Sequence, residues 1–305
     1  MSDIQDKLHA AKRAKKDEFY TQMPVIEKEL YHYRHHFKNK TIFLNCDDPE
    51  TSNFWKYFSL NFEFFELKRL ISTHYTDIKP SFMMEMKKIG NELKTVKSNL
   101  LENGDFRSEE VVNLLKESDI VVTNPPFSLF REYVAQLFEY DKKFIIMGNN
   151  NAITYKEIFP LIKENKLWLG NNSNFNCEFE VGEGYRYSRE ENGKKYGMVR
   201  SISWFTNLEI TKRHEKIILY RNYSEDRYQK YTNCDAINVD KVCDIPKNYD
   251  GLMGVPISFL GNYNPEQFEI VKFRKGDDNK DLMLPDKQPY FRILIRRVNH
   301  SEVTS

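Results

Sequence analysis

The sequence predicts an α/β protein: a doubly wound, mostly parallel sheet in its first half, then a loop- and β-rich region. Three observations predict this. Short apolar runs that suit strands alternate with stretches of helical periodicity from Thr41 to Met147. Polar residues suited to ligand binding, Asp47, Asp77 and Asn124, fall at the carboxyl ends of those runs, where open α/β sheets bind ligands. After Gly170 the composition turns to Asn, Gly, Glu, Arg and Tyr and helical periodicity stops. The 305 residues therefore divide into 1–170 and 171–305, with the C-terminal strands expected to return to the core.

Taken in order, Thr41 to Cys46 (TIFLNC) is a strand closed by the turn residues Asp47-Asp48-Pro49. Ser52 to Phe62 is a helix with Phe54, Tyr57, Phe58 and Phe62 along one face. Arg69 to Tyr75 is the second strand, and Gly90-Asn91 makes a hairpin of Phe82 to Ser98. Ser108 can cap a helix whose first turn carries Glu109 and Glu110, which suit the positive end of its dipole. Asp119 to Thr123 is a compact strand. Ser128 is expected to cap the next helix, which places Phe130, Tyr133, Val134, Leu137 and Phe138 on one stripe. Lys143 to Met147 follows as a buried strand ended by Gly148. Beyond residue 171 the strand-like runs are Ser201 to Thr206 and Tyr290 to Ile295.

Composition excludes several classes. No apolar run approaches the ~20 residues of a membrane span. The N-terminus is polar and basic, without a signal-peptide core, so a cytoplasmic location is expected. Four cysteines without C-x-x-C spacing suggest neither zinc nor a redox dithiol, and seven histidines form no ligand pattern, so no metal is expected. The net charge of +1 is not that of a uniformly basic coat protein, although basic residues gather at Lys12–Lys16, at Arg186–Arg200 and at Arg292–Arg297.

The sharpest chemical signal is Asn124-Pro125-Pro126-Phe127, between the DIVVT strand and a helix. Two prolines fix φ and remove two donors, which leaves a rigid turn with carbonyls free to accept. The Asn124 side chain and the Pro125 carbonyl suit the two hydrogens of an exocyclic amine on a planar base. Gripping both favours a pyramidal nitrogen whose lone pair faces an incoming methyl group. Phe127 offers a ring to stack on that base, which must first leave its duplex. Positioning then dominates and no strong base is needed.

This tetrapeptide matches the (N/D/S)-P-P-(Y/F/W) motif of amino-methyltransferases. Longer stretches resemble the EcoRI-type adenine-specific DNA methyltransferases: DEFYTQ (Asp17 to Gln22), NCDDP (Asn45 to Pro49), SNF (Ser52 to Phe54), GDFRS (Gly104 to Ser108) and SDIVVTNPPFSLF (Ser118 to Phe130). The series continues with ITYKEIF (Ile153 to Phe159), NPEQFE (Asn264 to Glu269) and PYFRILI (Pro289 to Ile295), in one order along nearly the whole chain.

The resemblance implies a Rossmann-like methyltransferase sheet, S-adenosylmethionine as cofactor and double-stranded DNA as substrate. It also implies methylation of an adenine within a short palindrome such as GAATTC. Phe19, Tyr20 and Thr21 are expected at the methionine end of the cofactor. Asn45 and Asp47, or the adjacent Asp48, stand where this fold usually carries F-x-G-x-G, a glycine pattern missing here. Asp77 is expected at the ribose hydroxyls, Asp105 at the amine of the cofactor's adenine and Phe106 beside its ring. Residues 171–305 become the target-recognition region, with Arg186, Arg189, Lys194, Lys195 and Arg200 as candidates for DNA contacts. The expected protein is a prokaryotic or phage-encoded monomer that forms no stable complex with any cognate restriction endonuclease. Two alternatives stand beside it: the same chemistry on an RNA adenine or a protein glutamine, and a DNA-binding protein with a decayed active site.

Overall fold

The computed structural model describes residues 19–76, 81–181, 187–274 and 282–298. Asp77, Arg186 and the Lys12–Lys16 cluster lie outside these residues, and of Phe19 and Tyr20 only the backbone is described.

The strands are β1 (Phe19–Tyr20), β2 (Thr41–Leu44), β3 (Arg69–Thr73), β4 (Phe82–Ile89), β5 (Glu92–Asn99), β6 (Ile120–Thr123), β7 (Lys143–Asn149), β8 (Trp168–Leu169), β9 (Phe175–Val181), β10 (Arg189–Glu191) and β11 (Lys194–Thr206). Then come β12 (Ala236–Asn238), β13 (Leu252–Pro256), β14 (Phe268–Arg274) and β15 (Arg292–Arg297). The helices are α1 (Met23–Leu30), α2 (Asn53–Leu60), α3 (Glu109–Glu117), α4 (Phe130–Glu139) and α5 (Phe159–Lys163).

The large sheet runs β1-β9-β11-β7-β6-β2-β3-β4-β5. Its centre is parallel, β3-β2-β6-β7. This is the expected α/β architecture, and its centre is buried because apolar residues occupy both faces. Ile42, Phe43, Leu44, Val121, Val122, Phe144, Ile145 and Ile146 are each fully inaccessible. Helices cover the faces with the stripes read from the sequence, Phe54 and Phe58 on α2 and Tyr133, Val134 and Leu137 on α4. Each such side chain contributes ~1.5–3 kcal/mol by leaving water. The chain goes from β2 out to β3, then crosses to β6 on the other side of β2. The strand order therefore reverses between β2 and β6, which opens a crevice at their carboxyl ends.

Both flanks of this centre are antiparallel. The β4–β5 hairpin extends one side as expected, turning at Gly90 with φ +62°. On the other side β11 pairs with β7 and recruits β9 and β1. Ser128 does not cap the following helix; it lies in a 3-10 turn, Phe127–Leu129, that leads into α4 from Leu129.

The chain forms two compact units: residues up to Ala152 with Leu169–Leu208, and Ile153–Trp168 with the chain from Glu209 onward. The boundary expected at residue 170 therefore differs. Trp204 and Phe205 are fully buried, so the run from Ser201 is a core strand of the first unit. The C-terminal strands do not return to that sheet. They build a four-stranded sheet of their own, β12-β13-β15-β14, whose core includes Met253, Val255, Phe259, Phe268, Ile293 and Ile295. Arg292 belongs to this interior rather than to a basic surface: its guanidinium donates to the Tyr290 carbonyl at 2.7 Å and to Asn238 Oδ1 at 3.3 Å.

Candidate active site

The site lies in the first unit at the carboxyl ends of β2, β3 and β6. β2 delivers Asn45, Cys46 and Asp47. The Asp47 N–H donates to the Thr73 carbonyl at 3.2 Å, which ties it to the end of β3. Asp47 Oδ1 accepts from Ser52 Oγ at 3.1 Å, and the same hydroxyl caps α2 by accepting from the Phe54 N–H at 3.0 Å. Asp47 Oδ2 accepts from the Thr123 hydroxyl at the end of β6, and the Asn124 backbone N–H donates to the same carboxylate. Burial pushes this carboxyl up to about 7, against the lowering effect of those hydrogen bonds. The site thus holds a carboxylate that a cation would strongly favour.

Asn45 is buried beside it. Its Oδ1 accepts from the Tyr133 hydroxyl of α4, while its Nδ2 has no hydrogen-bond partner among the described residues. A buried orphan donor next to a buried acceptor suits the carboxylate and ammonium of an amino acid. Asp48 plays a local part: its side chain accepts from the Glu50 N–H at 2.9 Å and its carbonyl from the Ser52 N–H at 2.7 Å, which shapes the turn into α2.

Asn124 follows β6 across the crevice. Its Nδ2 donates to Thr21 Oγ1 at 3.4 Å, and Thr21 Oγ1 donates to Met147 Sδ at 3.4 Å. Asn53 of α2 donates to the Thr21 carbonyl at 2.8 Å. The expected N-terminal, first-strand and N-P-P-F residues, far apart in the chain, are thereby brought into one network. Pro125 is buried, and Phe127 is half-buried at the start of the 3-10 turn.

Asp105 is partly buried in the loop before α3. Burial opposes its ionisation, but the hydrogen bonds and charge of Arg107 outweigh this and hold its carboxyl below the usual value. Phe106, expected beside a ring, is 5% exposed and packs edge-on against Tyr133 at 5.2 Å. The planar group exposed beside it is the Arg107 guanidinium.

Among the described residues, the basic candidates Arg189, Lys194, Lys195 and Arg200 lie on a ribbon formed by β9, β10 and β11. Its tip turns at Asn192-Gly193, both with positive φ, as a two-residue hairpin requires. Arg189 is paired with Glu178 and Glu191, and Lys194 with Glu180 at 2.7 Å. Lys195 lies over the Tyr187 ring at 5.2 Å, and Arg200 is exposed.

Residues 7–298 match the family described as adenine-specific methyltransferase EcoRI. The chain belongs to that family of adenine-specific DNA methyltransferases. It is 51% identical to the Type II methyltransferase M.EcoRI of Escherichia coli over 311 residues, 95% of each chain. It is 41% identical to the Type II methyltransferase M.MgeORF184P of Mycoplasma genitalium, covering 86% of this chain and 84% of that one. It is 39% identical to M.MpnI of Mycoplasma pneumoniae, covering 86% and 83%. No solved structure matches. Among the described residues no helix is long and apolar enough to cross a membrane.

Sequence reasoning about the site missed Thr123, Tyr133, Asn53 and Arg107. Thr123 and Arg107 adjoin residues already singled out, which is a usable signal. Tyr133 reads only as part of a helix stripe, and nothing local distinguishes Asn53.

Proposed function

We propose that this chain transfers a methyl group from S-adenosylmethionine to N6 of an adenine swung out of a DNA duplex. The observation that carries the reading is that Asp47 and Asn124 flank the reversal between β2 and β6 and are joined by a hydrogen bond. The cofactor, when bound, supplies an electrophilic methyl group on a sulfonium.

The residues fit that cofactor. Asp47 accepts its ammonium, Asn45 Nδ2 donates to its carboxylate, and Thr21 closes this end beside Phe19 and Tyr20 of β1. Asp105 accepts from the amine of its adenine. At the other side of the crevice, Asn124 Oδ1 and the Pro125 carbonyl accept the two hydrogens of the target amine. So aimed, the nitrogen lone pair would take the methyl group that the bound cofactor supplies, and the nitrogen would then release a proton to water. Phe127 holds the extruded base by stacking, a contribution of ~1–3 kcal/mol.

The ribbon belongs to the same unit as the site, which supports its role in holding DNA beside Asn124. Lys195 and Arg200 are its better candidates for phosphate or base contacts, because Arg189 and Lys194 are spent on glutamates. The second unit completes target recognition. An asymmetric single chain acting once on each strand suits a palindrome such as GAATTC, so we read a monomer working in a prokaryotic or phage-infected cytoplasm. Any partner endonuclease shares the DNA site and forms no stable complex.

The test is a methylation assay with tritiated S-adenosylmethionine on duplex DNA, RNA and protein acceptors, followed by nucleoside analysis. Label in N6-methyladenine from duplex DNA is expected. Label in RNA or in glutamine overturns the substrate, and no label on any acceptor, with no cofactor binding, overturns the activity.

A further inference from the structure

Asp105 is held on three of its acceptor positions by one residue. Oδ1 accepts the Arg107 backbone N–H at 2.9 Å and Nε at 2.8 Å, and Oδ2 accepts Nη2 at 2.7 Å. The remaining guanidinium nitrogen, Nη1, reaches the two oxygens of Glu132 on α4 at 3.3 and 3.4 Å. A carboxylate offers about four lone-pair positions, so one, on Oδ2, is left. The guanidinium fork is planar and rigid, so it sets the rotation of the carboxylate as well as its charge. The backbone is pinned too. Gly104 has φ +75°, and a Cβ there would lie 2.0 Å from the His74 carbonyl oxygen.

We propose that Arg107 is a positioning residue that turns Asp105 to present a single acceptor, so that the cofactor pocket selects a purine donating at position 6 over one accepting there. The inference rests on the reading of Asp105 as partner of the cofactor's adenine. A carboxyl free to rotate and to take a proton could offer its O–H to a 6-oxo purine. One that is pinned and ionised sets acceptor against acceptor instead. Among the described residues, the charged and titratable groups that act on Asp105 are Arg107 and the Cys46 thiol, with Glu132 on the far side of the guanidinium. Burial pushes the Cys46 thiol well up, so it stays neutral and Arg107 supplies the charge that keeps Asp105 ionised.

The experiment is calorimetric titration of the full-length enzyme with S-adenosylhomocysteine and with its deaminated 6-oxo counterpart, at about pH 5.5 and about pH 8. Wild type is expected to prefer the adenine form by about 100-fold at both pH values. R107A is expected to prefer it by less than about tenfold at the lower pH and to regain preference at the higher, as Asp105 ionises. R107K, which keeps the charge without the fork, should fall between and serves as the second variant if R107A does not fold. R107A with wild-type selectivity at both pH values, while D105A loses it, overturns the role of Arg107 and leaves that of Asp105. Equal loss of both ligands in R107A, with no change of preference, also overturns it. D105A with unchanged affinity and selectivity overturns both readings.

Discussion

Replacing Asp47 by asparagine should make the enzyme more stable while disabling it, and the gain should depend on pH in a direction the site dictates. In the fold this carboxyl titrates at about 7 rather than at its ordinary 3.8, with burial as the largest cause. Below pH ~4 both folded and unfolded states carry the proton and no penalty exists. As pH rises from there to 7 the unfolded chain ionises first, so the folded state loses stability; above 7 the loss is constant. The full penalty is ~4 kcal/mol at ~1.4 kcal/mol per pH unit, of which ~2–3 kcal/mol accrues between about pH 5 and about pH 8. The asparagine side chain carries no charge to desolvate but keeps one acceptor oxygen for Ser52, Thr123 and the Asn124 N–H, which offsets the gain by ~1–2 kcal/mol. That offset is independent of pH, so the slope is the test. Urea unfolding followed by fluorescence reads mainly the first unit, which holds Trp55 and Trp204. D47N should exceed wild type by ~2 kcal/mol at about pH 8 and by little at about pH 5. A stability difference that is the same at both pH values would refute the account of a buried, proton-hungry carboxyl. If Asp47 holds the cofactor's ammonium as proposed, the same linkage predicts that cofactor affinity weakens about tenfold per pH unit below 7, because that contact requires the ionised form.

Three further outcomes follow from the same geometry. Asn124→Ala should lower kcat by about 10²–10³ while changing cofactor affinity by less than about threefold, since the proposed function sets it against the target amine; calorimetry and single-turnover methylation separate the two. Glu29→Ala should destabilise the first unit by ~3 kcal/mol or more, seen as a lower urea midpoint, because it leaves buried donors without an acceptor. The reason is that the fully buried Glu29 carboxylate accepts from the Asn171 and Asn172 N–H groups, the Asn172 amide and the Tyr33 hydroxyl at 2.7–2.8 Å. Lys195→Gln and Arg200→Gln should each reduce the slope of log binding constant against log salt by about 0.9, measured by fluorescence anisotropy with duplex DNA. An unchanged slope would remove that residue from the phosphate contacts.

Much of this protein is legible in the chain because its determinants are local. A strand buried on both faces must be apolar throughout, so TIFL, IVVT and KFIIM announce the parallel centre. The N-P-P-F turn announces itself because two prolines after a buried strand leave the backbone few other conformations, and the aromatic stripe read after Ser52 forms the face of a helix. Residues 171–208 are harder to assign, because an antiparallel edge strand and a loop-rich domain share one composition. Only the unpaired edge of β7 decides that Ser201–Thr206 joins the first sheet, and pairing across 50 or more residues leaves no local trace. The C-terminal strands likewise pair among themselves because their partners lie within the same stretch of chain. By itself, then, the sequence determined the α/β centre, the N-P-P-F turn that follows its buried strand and the acidic residues at the strand ends. The tertiary structure decided which of these meet: Thr21, Asp47 and Asn124 in one network, Asp48 in its own turn, Phe106 in the core and Arg107 on Asp105. The physical reason is that hydrogen bonds and burial depend on the distance between atoms in space, which separation along the chain does not reveal.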